Sequence, residues 1–407
     1  MSGALSHLRV LDLSRVLAGP WAGQLLADLG AEVIKVERPG SGDDTRGWGP
    51  PFLHDTNTDA PLDAAYFQCA NRNKKSVTAD FTQPEGQILV KQLAAQCDVV
   101  IENFKVGGLA PYGLDHTSLR SANPRLVYCS ITGFGQTGPY ATRPGYDFLI
   151  QAMGGLMSIT GQKDGEPGAG PQKVGVAVTD ILTGLYATVG ILAALAHRDR
   201  TGEGQHIDVA LLDVQVAALA NQAANYLVGG EAPKRLGNAH PNIVPYQDFP
   251  TLDGHMIIAV GNDGQFARLC KELGCAELAT DPRYVTNRDR VQHRETLTET
   301  LCKHTRQRST AQWVSALEVV GVPCGPINTL EGVFADAQVR AREMRIELPH
   351  PGAGTVPLVA NPLRLSATPV RYTSAPPSLG QHTSQVLASA LGLSHTQIDD
   401  LAQRQII

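Results

Sequence analysis

Several chemical signatures are missing from this sequence, and each absence removes a class of function. The seven cysteines are odd in number, widely spaced and include no CxxC pair, which argues against a disulfide framework or a zinc site and leaves buried free thiols as the expectation. None of the 12 histidines stands at ligand spacing with another histidine or a cysteine, so no metal is expected. There is no GxSxG elbow and no phosphate-binding P-loop, which removes the commonest hydrolase and nucleoside-triphosphatase chemistries. No stretch reaches 18 consecutive apolar residues, so no membrane span is expected. Positive charge is scarce: 34 Lys and Arg stand against 39 Asp and Glu, a net charge of -5, which gives no general attraction to nucleic acid or to an anionic membrane. The opening MSGALSHLRVLDLS enters an apolar strand pattern almost at once, leaving no room for a signal or transit peptide, and a reducing cytoplasm is the expected setting.

What is present suits a loop-rich enzyme of two or three domains: 407 residues, 43% hydrophobic and 18% charged, with 41 Gly and 26 Pro. Residues 8–37 read as one βαβ unit. The strand LRVLDL meets a Gly19-Pro20 turn, the helix WAGQLLADLG closes at Gly30, and the strand EVIKVE follows. Such near-continuous apolar strands are those covered on two faces, so a parallel sheet begins here. The helix PEGQILVKQLAAQ, the strands in CDVVIENF, PRLVYCSITGFG and GQHIDVAL, and the long apolar helix between them continue the alternation to about residue 210. That is the pattern of a doubly wound α/β domain.

LLDVQVAALANQAANYLVG reads as a single further helix, and GGEAPKRLGNAHPNIVPYQDF as a crossing linker. Strands at YQDFPTL and HMIIAVG and helices around 265–273, 288–306 and 310–320 predict a smaller α+β domain. Strands near 345–366 and a helix at 381–391 are expected to return to the first sheet. The expected division is 1–228 for the N-terminal part of a Rossmann-like large domain, 229–328 for the small domain with its linkers, and 329–407 for the returning C-terminal segment.

The first βα turn, RVLAGP, lacks GxGxxG, so a dinucleotide is not the obvious ligand, although helix N-termini and glycine turns still attract phosphate. Arg38 and the run Asn71–Ser76 are either the cations a diphosphate needs or solvated surface charge. Arg46, in SGDDTRGWGPPF, either serves its own turn or meets a carboxylate. The glycine-rich segments 154–175 and 261–266 read as ligand-facing loops. Asp180 is the one acidic group of the apolar helix TDILTGLYATVGILAALAH and sits in its first turn. It is either a helix cap or a nucleophile, kept ionised by the helix N-terminus while apolar surroundings strip away water.

These pieces, in this order, resemble the class III CoA-transferase family, which includes formyl-CoA transferase and enzymes named after carnitine dehydratase. The resemblance runs from LRVLDLSRVLAGPWAGQLLADLGAEVIKVERPGSGDDTRGWGPPF through NRNKKS, VIENF, PRLVYCSITGFGQTGP and the helix of Asp180 to GQHIDVALLD. AANYLVG, AHPNIVPYQDF, VPCGPINTLEGVFADAQV and LGQHT are most like the family's glutarate-using members. The resemblance implies coenzyme A, entering as an acyl-CoA co-substrate, small carboxylic acids as partners, and no metal. It implies an interlocked homodimer, two subunits threaded like chain links. The family nucleophile falls on Asp180, and its CoA contacts on Leu17, Ala18, Arg38, Ala79, Asp80, Phe81, Thr82, Asn103 and Phe104. Tyr146 and Asp147 fall near the thioester. For a dicarboxylate substrate such as succinate, glutarate or hydroxymethylglutarate, Arg46, Arg72 and His240 are the candidate cations, with Gly261, Gly264 and Gln265 in the loop that shields the intermediate. Two departures stand out. GNDGQ replaces an all-glycine loop, and Pro111 and Pro144 stand where formyl-CoA transferase has cations. An acyl-CoA racemase of the same superfamily and a non-catalytic CoA-binding protein are the alternatives.

Overall fold

The computed structural model describes residues 3–407. The chain divides into two compact units, the first comprising residues up to Gly155, Val174–Leu219 and Ala337–Ile407, the second Leu156–Lys173 and Ala220–Asp336. The boundaries expected at 228 and 328 therefore fall at 219 and 336, and most of the glycine-rich segment 154–175 belongs to the second unit.

The apolar runs of the first unit form six parallel strands: β1 (Arg9–Asp12), β2 (Glu32–Glu37), β3 (Lys74–Thr78), β4 (Val99–Glu102), β5 (Val127–Thr132) and β6 (His206–Ala210). Their spatial order is β3-β2-β1-β4-β5-β6, the doubly wound order whose direction reverses between β1 and β4. Alternate residues feed two cores. Val10, Val33, Val99, Ile101 and Val127 face one way and Leu11, Ile34, Val100 and Tyr128 the other, which is why these strands are apolar on both faces.

Around the sheet lie α1 (Ala18–Asp28), α2 (Pro84–Ala95), α3 (Asp147–Met153), α4 (Val178–Thr201) and α5 (Leu211–Ala218). The length and composition of α4 would let it cross a membrane. Its buried face instead packs along α1: a Cβ at Gly184 would lie 2.7 Å from the Ala18 carbonyl oxygen and 3.0 Å from Trp21, so only glycine allows this approach. Asp180 lies one turn before that contact and is thereby brought to the start of α1.

The helix expected as one piece over 211–229 is two, α5 and α6 (Ala220–Gly229), because Ala220 takes φ 43°. In the second unit, β7 (Tyr246–Pro250), β8 (His255–Ala259) and β9 (Cys324–Pro326) form an antiparallel sheet. It shares a core with α7 (Asp263–Leu273), α8 (Arg294–Thr305) and α9 (Thr310–Val319) through Phe249, Ile258, Phe266, Leu301 and Trp313.

The C-terminal strands β10 (Arg345–His350) and β11 (Gly354–Val359) pair only with each other and do not join the six-stranded sheet as expected. What returns is α10 (Thr383–Leu391). The His382 amide donates to the Ser76 carbonyl at 2.9 Å, and the Thr78 amide to the Thr383 hydroxyl at 3.0 Å. Edge strand β3 is thus covered, which blocks edge-to-edge pairing.

Beneath the first βα turn runs a buried ion network. Lys74 Nζ donates to Asp12 Oδ2 at 2.9 Å, to the Pro20 carbonyl at 2.8 Å and to Asn71 Oδ1 at 2.9 Å, with both charged side chains out of water. Lys35 Nζ donates to the Ser14 carbonyl at 2.8 Å and to Asp43 Oδ2 at 2.9 Å. Asp12→Ala would strand the Lys74 ammonium, so a loss of about 3–5 kcal/mol is expected in equilibrium denaturation. A loss below about 1 kcal/mol would mean that the network does not hold the turn.

Candidate active site

Helix α4 starts without a cap of its own, since the preceding Ala177 has no side-chain acceptor. Asp147, in the first turn of α3, supplies one. Its Oδ1 accepts from the Thr179 amide at 2.8 Å and the Asp180 amide at 3.3 Å, and its Oδ2 accepts from Gln151 Nε2 at 2.6 Å. The Thr179 hydroxyl donates to Gln215 Oε1 at 2.6 Å, fixing the same turn to α5. Asp180 is left 8% exposed, and among the described residues its carboxylate accepts no hydrogen bond.

Burial, followed by the negative charge of Asp147, pushes the Asp180 carboxyl up to about 7. The expectation of a fully ionised group is corrected here. The amides that would have stabilised its charge are already taken by Asp147.

Asp180 forms part of the wall of a cavity of about 360 Å³ beyond the C-terminal ends of β1, β4 and β5, at the reversal of strand order where doubly wound sheets bind ligands. Leu17 and Ala18 of the first turn, Asn103 and Phe104 after β4, and Tyr146 line the same cavity. The Asn103 side chain pins the first turn to β4, accepting from the Arg15 amide at 2.9 Å and donating to the Arg15 carbonyl at 2.7 Å. Val16, also in the wall, has φ 71°, a strained conformation for a β-branched residue. Its amide is held by both oxygens of Asp43 at 3.2 Å. Although burial alone would raise it, the Lys35 ammonium and bonds from Thr45 bring the Asp43 carboxyl down to about 2.

Arg38 and Ala79–Thr82 are not cavity walls, yet they adjoin them. The Phe81 ring meets Phe104 edge-on at 5.8 Å, and exposed Arg38 lies close enough to lower the Asp80 carboxyl, chiefly held down by the Thr82 hydroxyl. Asp147 is behind Asp180 rather than in the wall.

The candidate cations turn out differently. Arg46 is buried in a bidentate pair with Glu37 at 2.8 and 2.7 Å, bonds Asp63 at 2.6 Å and stacks 3.7 Å from the Phe67 ring. Arg72 pairs with Asp28 at 2.9 and 2.5 Å and donates to the Val359 carbonyl at 2.8 Å. Both guanidinium groups are committed inside the fold, and neither lines the cavity that holds Asp180. The Asn71–Ser76 run is likewise largely interior, neither solvated charge nor a phosphate cradle.

His240, Gly261, Gly264 and Gln265 belong to the second unit. The Asn242 amide donates to His240 Nδ1 at 3.0 Å, and burial followed by Arg294 lowers the His240 imidazolium. The 261–265 loop is a helix start: Asn262 Oδ1 accepts from the Gln265 amide at 2.9 Å, and Gln265 Oε1 accepts from the Gly261 amide at 2.7 Å.

The cations that do line the cavity are Arg15, Lys105 and Arg143. Arg143 stands one residue before Pro144, its guanidinium 4.5 Å from the Tyr140 ring centroid, and neither it nor Lys105 forms an ion pair among the described residues. The signal was available: each is a lone cation in a glycine-rich stretch, NFKVGG and ATRPGY, following a strand end. Tyr66 was also missed. Burial and the charges of Asp180 and Cys69, then Asp147, push its hydroxyl up to about 12, so it stays a neutral donor near the cavity.

The sequence from 5 to 383 matches the family model described as CoA-transferase family III. It is 55% identical to a succinate–glutarate CoA-transferase of Agrobacterium fabrum, over 96% of this chain and 97% of that one. It is 44% identical to a succinyl-CoA:glutarate CoA-transferase of Homo sapiens, over 99% of this chain and 90% of that one. A crystal structure of a CAIB/BAIF family protein from Brucella suis superposes with a TM-score of 0.83 at 52% identity, covering 96% of this chain and all 100% of that one.

Two predictions follow the geometry. Gly133 and Gly145 cross so closely that a Cβ at Gly133 would lie 2.5 Å from the Gly145 Cα. Gly145→Ala should therefore cost about 1–3 kcal/mol and weaken CoA binding; unchanged melting and titration curves would contradict this. The raised Asp180 carboxyl also penalises the folded state as pH rises from its unfolded value of 3.8 to about 7, because the unfolded chain releases that proton first. Asp180→Asn should stabilise the protein by about 2–4 kcal/mol above pH 7 and by progressively less toward pH 4. A pH-independent difference in melting curves would contradict it.

Proposed function

The chain belongs to CoA-transferase family III, and we propose that it moves coenzyme A from succinyl-CoA to glutarate or a related short dicarboxylate through covalent intermediates on Asp180. The observation that carries the reading is the contrast between the two carboxylates in the cavity wall. Asp44 is exposed and paired with Arg15 at 3.1 Å, whereas Asp180 is buried and has no donor among the described residues. A desolvated carboxylate with no partner is poised to attack a carbonyl.

Asp180 attacks the thioester carbonyl of the donor, forming a mixed anhydride and releasing CoA thiolate. The thiolate attacks the aspartyl carbonyl, giving an aspartyl–CoA thioester and the free donor acid. The acceptor carboxylate attacks that thioester to form a second anhydride, and the thiolate attacks the acceptor carbonyl, restoring Asp180. No water enters, and water must be excluded because it would hydrolyse either anhydride. In this reading Arg15, Lys105 and Arg143 hold the CoA phosphates or the distal carboxylate.

The relatives named for succinate and glutarate support the choice of acids. An α-proton exchange would need an acid/base pair, and no histidine lines the cavity among the described residues. The interlocked homodimer remains part of the proposal. The outer face of α4 leaves Leu185, Tyr186 and Val189 exposed, an apolar row suited to a second copy.

The test pairs Asp180→Ala with a panel of mono- and dicarboxylate acceptors. Transfer should fall about a thousand-fold or more while CoA binding by calorimetry persists. Turnover retained by Asp180→Ala would refute the mechanism; wild-type preference for monocarboxylates would refute the substrate class.

A further inference from the structure

Asp147 is a half-buried neighbour of the proposed nucleophile that does not line the cavity holding Asp180, and both its carboxylate oxygens are hydrogen-bonded. One oxygen takes the second and third amides of α4, those of Thr179 and of Asp180 itself, at 2.8 and 3.3 Å, and the other is oriented by Gln151 at 2.6 Å. Gln151 is fully buried, and its Oε1 accepts from the Val174 amide at 2.9 Å, so its orientation is fixed at both ends. Gln151 thus ties Asp147 to the backbone where the chain re-enters the first unit.

We infer that Asp147 is a positioning residue for the transfer reaction: it anchors the turn that carries Asp180, takes the helix amides from that carboxylate and sets a negative charge beside it. This rests on the reading of Asp180 as the nucleophile. A helix N-terminus ordinarily favours an anion in its first turn. Here Asp147 is the anion that benefits, and Asp180 is left as a more basic carboxylate with only the cavity before it.

The other ionisable groups around Asp180 do not supply this effect. Tyr66, on the short helix Ala65–Gln68, stays neutral, and Tyr146 lies in the cavity wall. Arg15, Asp44, Lys105 and Arg143 line the cavity, Arg15 and Asp44 as a pair. The neighbouring helices α1 and α5 contribute the neutral Trp21 and Gln215. Among the described residues, Asp147 is the charged group bonded to the nucleophile's own turn.

Asp147→Asn keeps an oxygen for the amides and removes the charge. The acid limb of the kcat/KM pH profile should move to lower pH by about one unit. The ionisation of Asp180 should move with it in resting enzyme carrying 13C-labelled aspartate, its carboxyl signal identified by its loss in Asp180→Asn. Asp147→Ser, which offers an uncharged capping oxygen, should shift the titration in the same direction. If Asp147 were merely structural, both variants would lose activity equally at every pH with the Asp180 titration unmoved, and that result would overturn the inference. A shifted titration alongside turnover retained by Asp180→Ala would support the role of Asp147 and refute the nucleophile.

Discussion

A carboxyl group held out of water, at the start of a helix whose free amides are already occupied, is the constraint on which the site depends. Asp180 reaches that position because Gly184 lets α4 lie against α1, and because Asp147 and Gln215 fasten the turn from two other helices. The cost is a folded state that prefers the protonated acid near neutral pH. Stability is conceded at that one carboxyl, the kind of perturbed group that marks a functional-site candidate.

The remaining charges of the first unit divide into two populations with different tasks. Lys35, Lys74, Arg46 and Arg72 are internal struts whose partners, Asp43, Asp12, Glu37 and Asp28, lie on neighbouring strands, turns and helices. Of these, Lys35 and Lys74 brace the first turn through Ser14, Pro20 and Asp43, and Asp43 holds the amide of strained Val16 beside the cavity. Arg15, Lys105 and Arg143 sit on loops at the strand ends, and the cavity is where they meet. A buried pair specifies geometry more surely than it adds net stability, which fits a scaffold whose product is one well-placed turn.

Much of the parallel sheet was legible because apolar strand runs, Pro near the start of α1 and Gly30 after its end are local signals. The cavity-lining residues Leu17, Ala18, Asn103 and Phe104 were legible only through family resemblance. What failed was long-range. Asn71–Ser76 looks like surface charge because its partners Asp12 and Asp28 are more than 40 residues away in sequence, and that charge hid strand β3. The break at Ala220 carries no glycine or proline to announce it. Asp180 was visible as an acid in an apolar helix, but its altered ionisation comes first from burial and then from the charge of Asp147, 33 residues earlier.

The most direct measurement is isotopic. In a single turnover with an acceptor dicarboxylate labelled with 18O in both carboxylates, the anhydride oxygen that bridges to the enzyme comes from the acceptor and departs with Asp180. The peptide bearing Asp180 should then gain the mass of one 18O in place of 16O. A peptide of unchanged mass after confirmed product formation, or label on a different carboxylate, would contradict covalent transfer through Asp180.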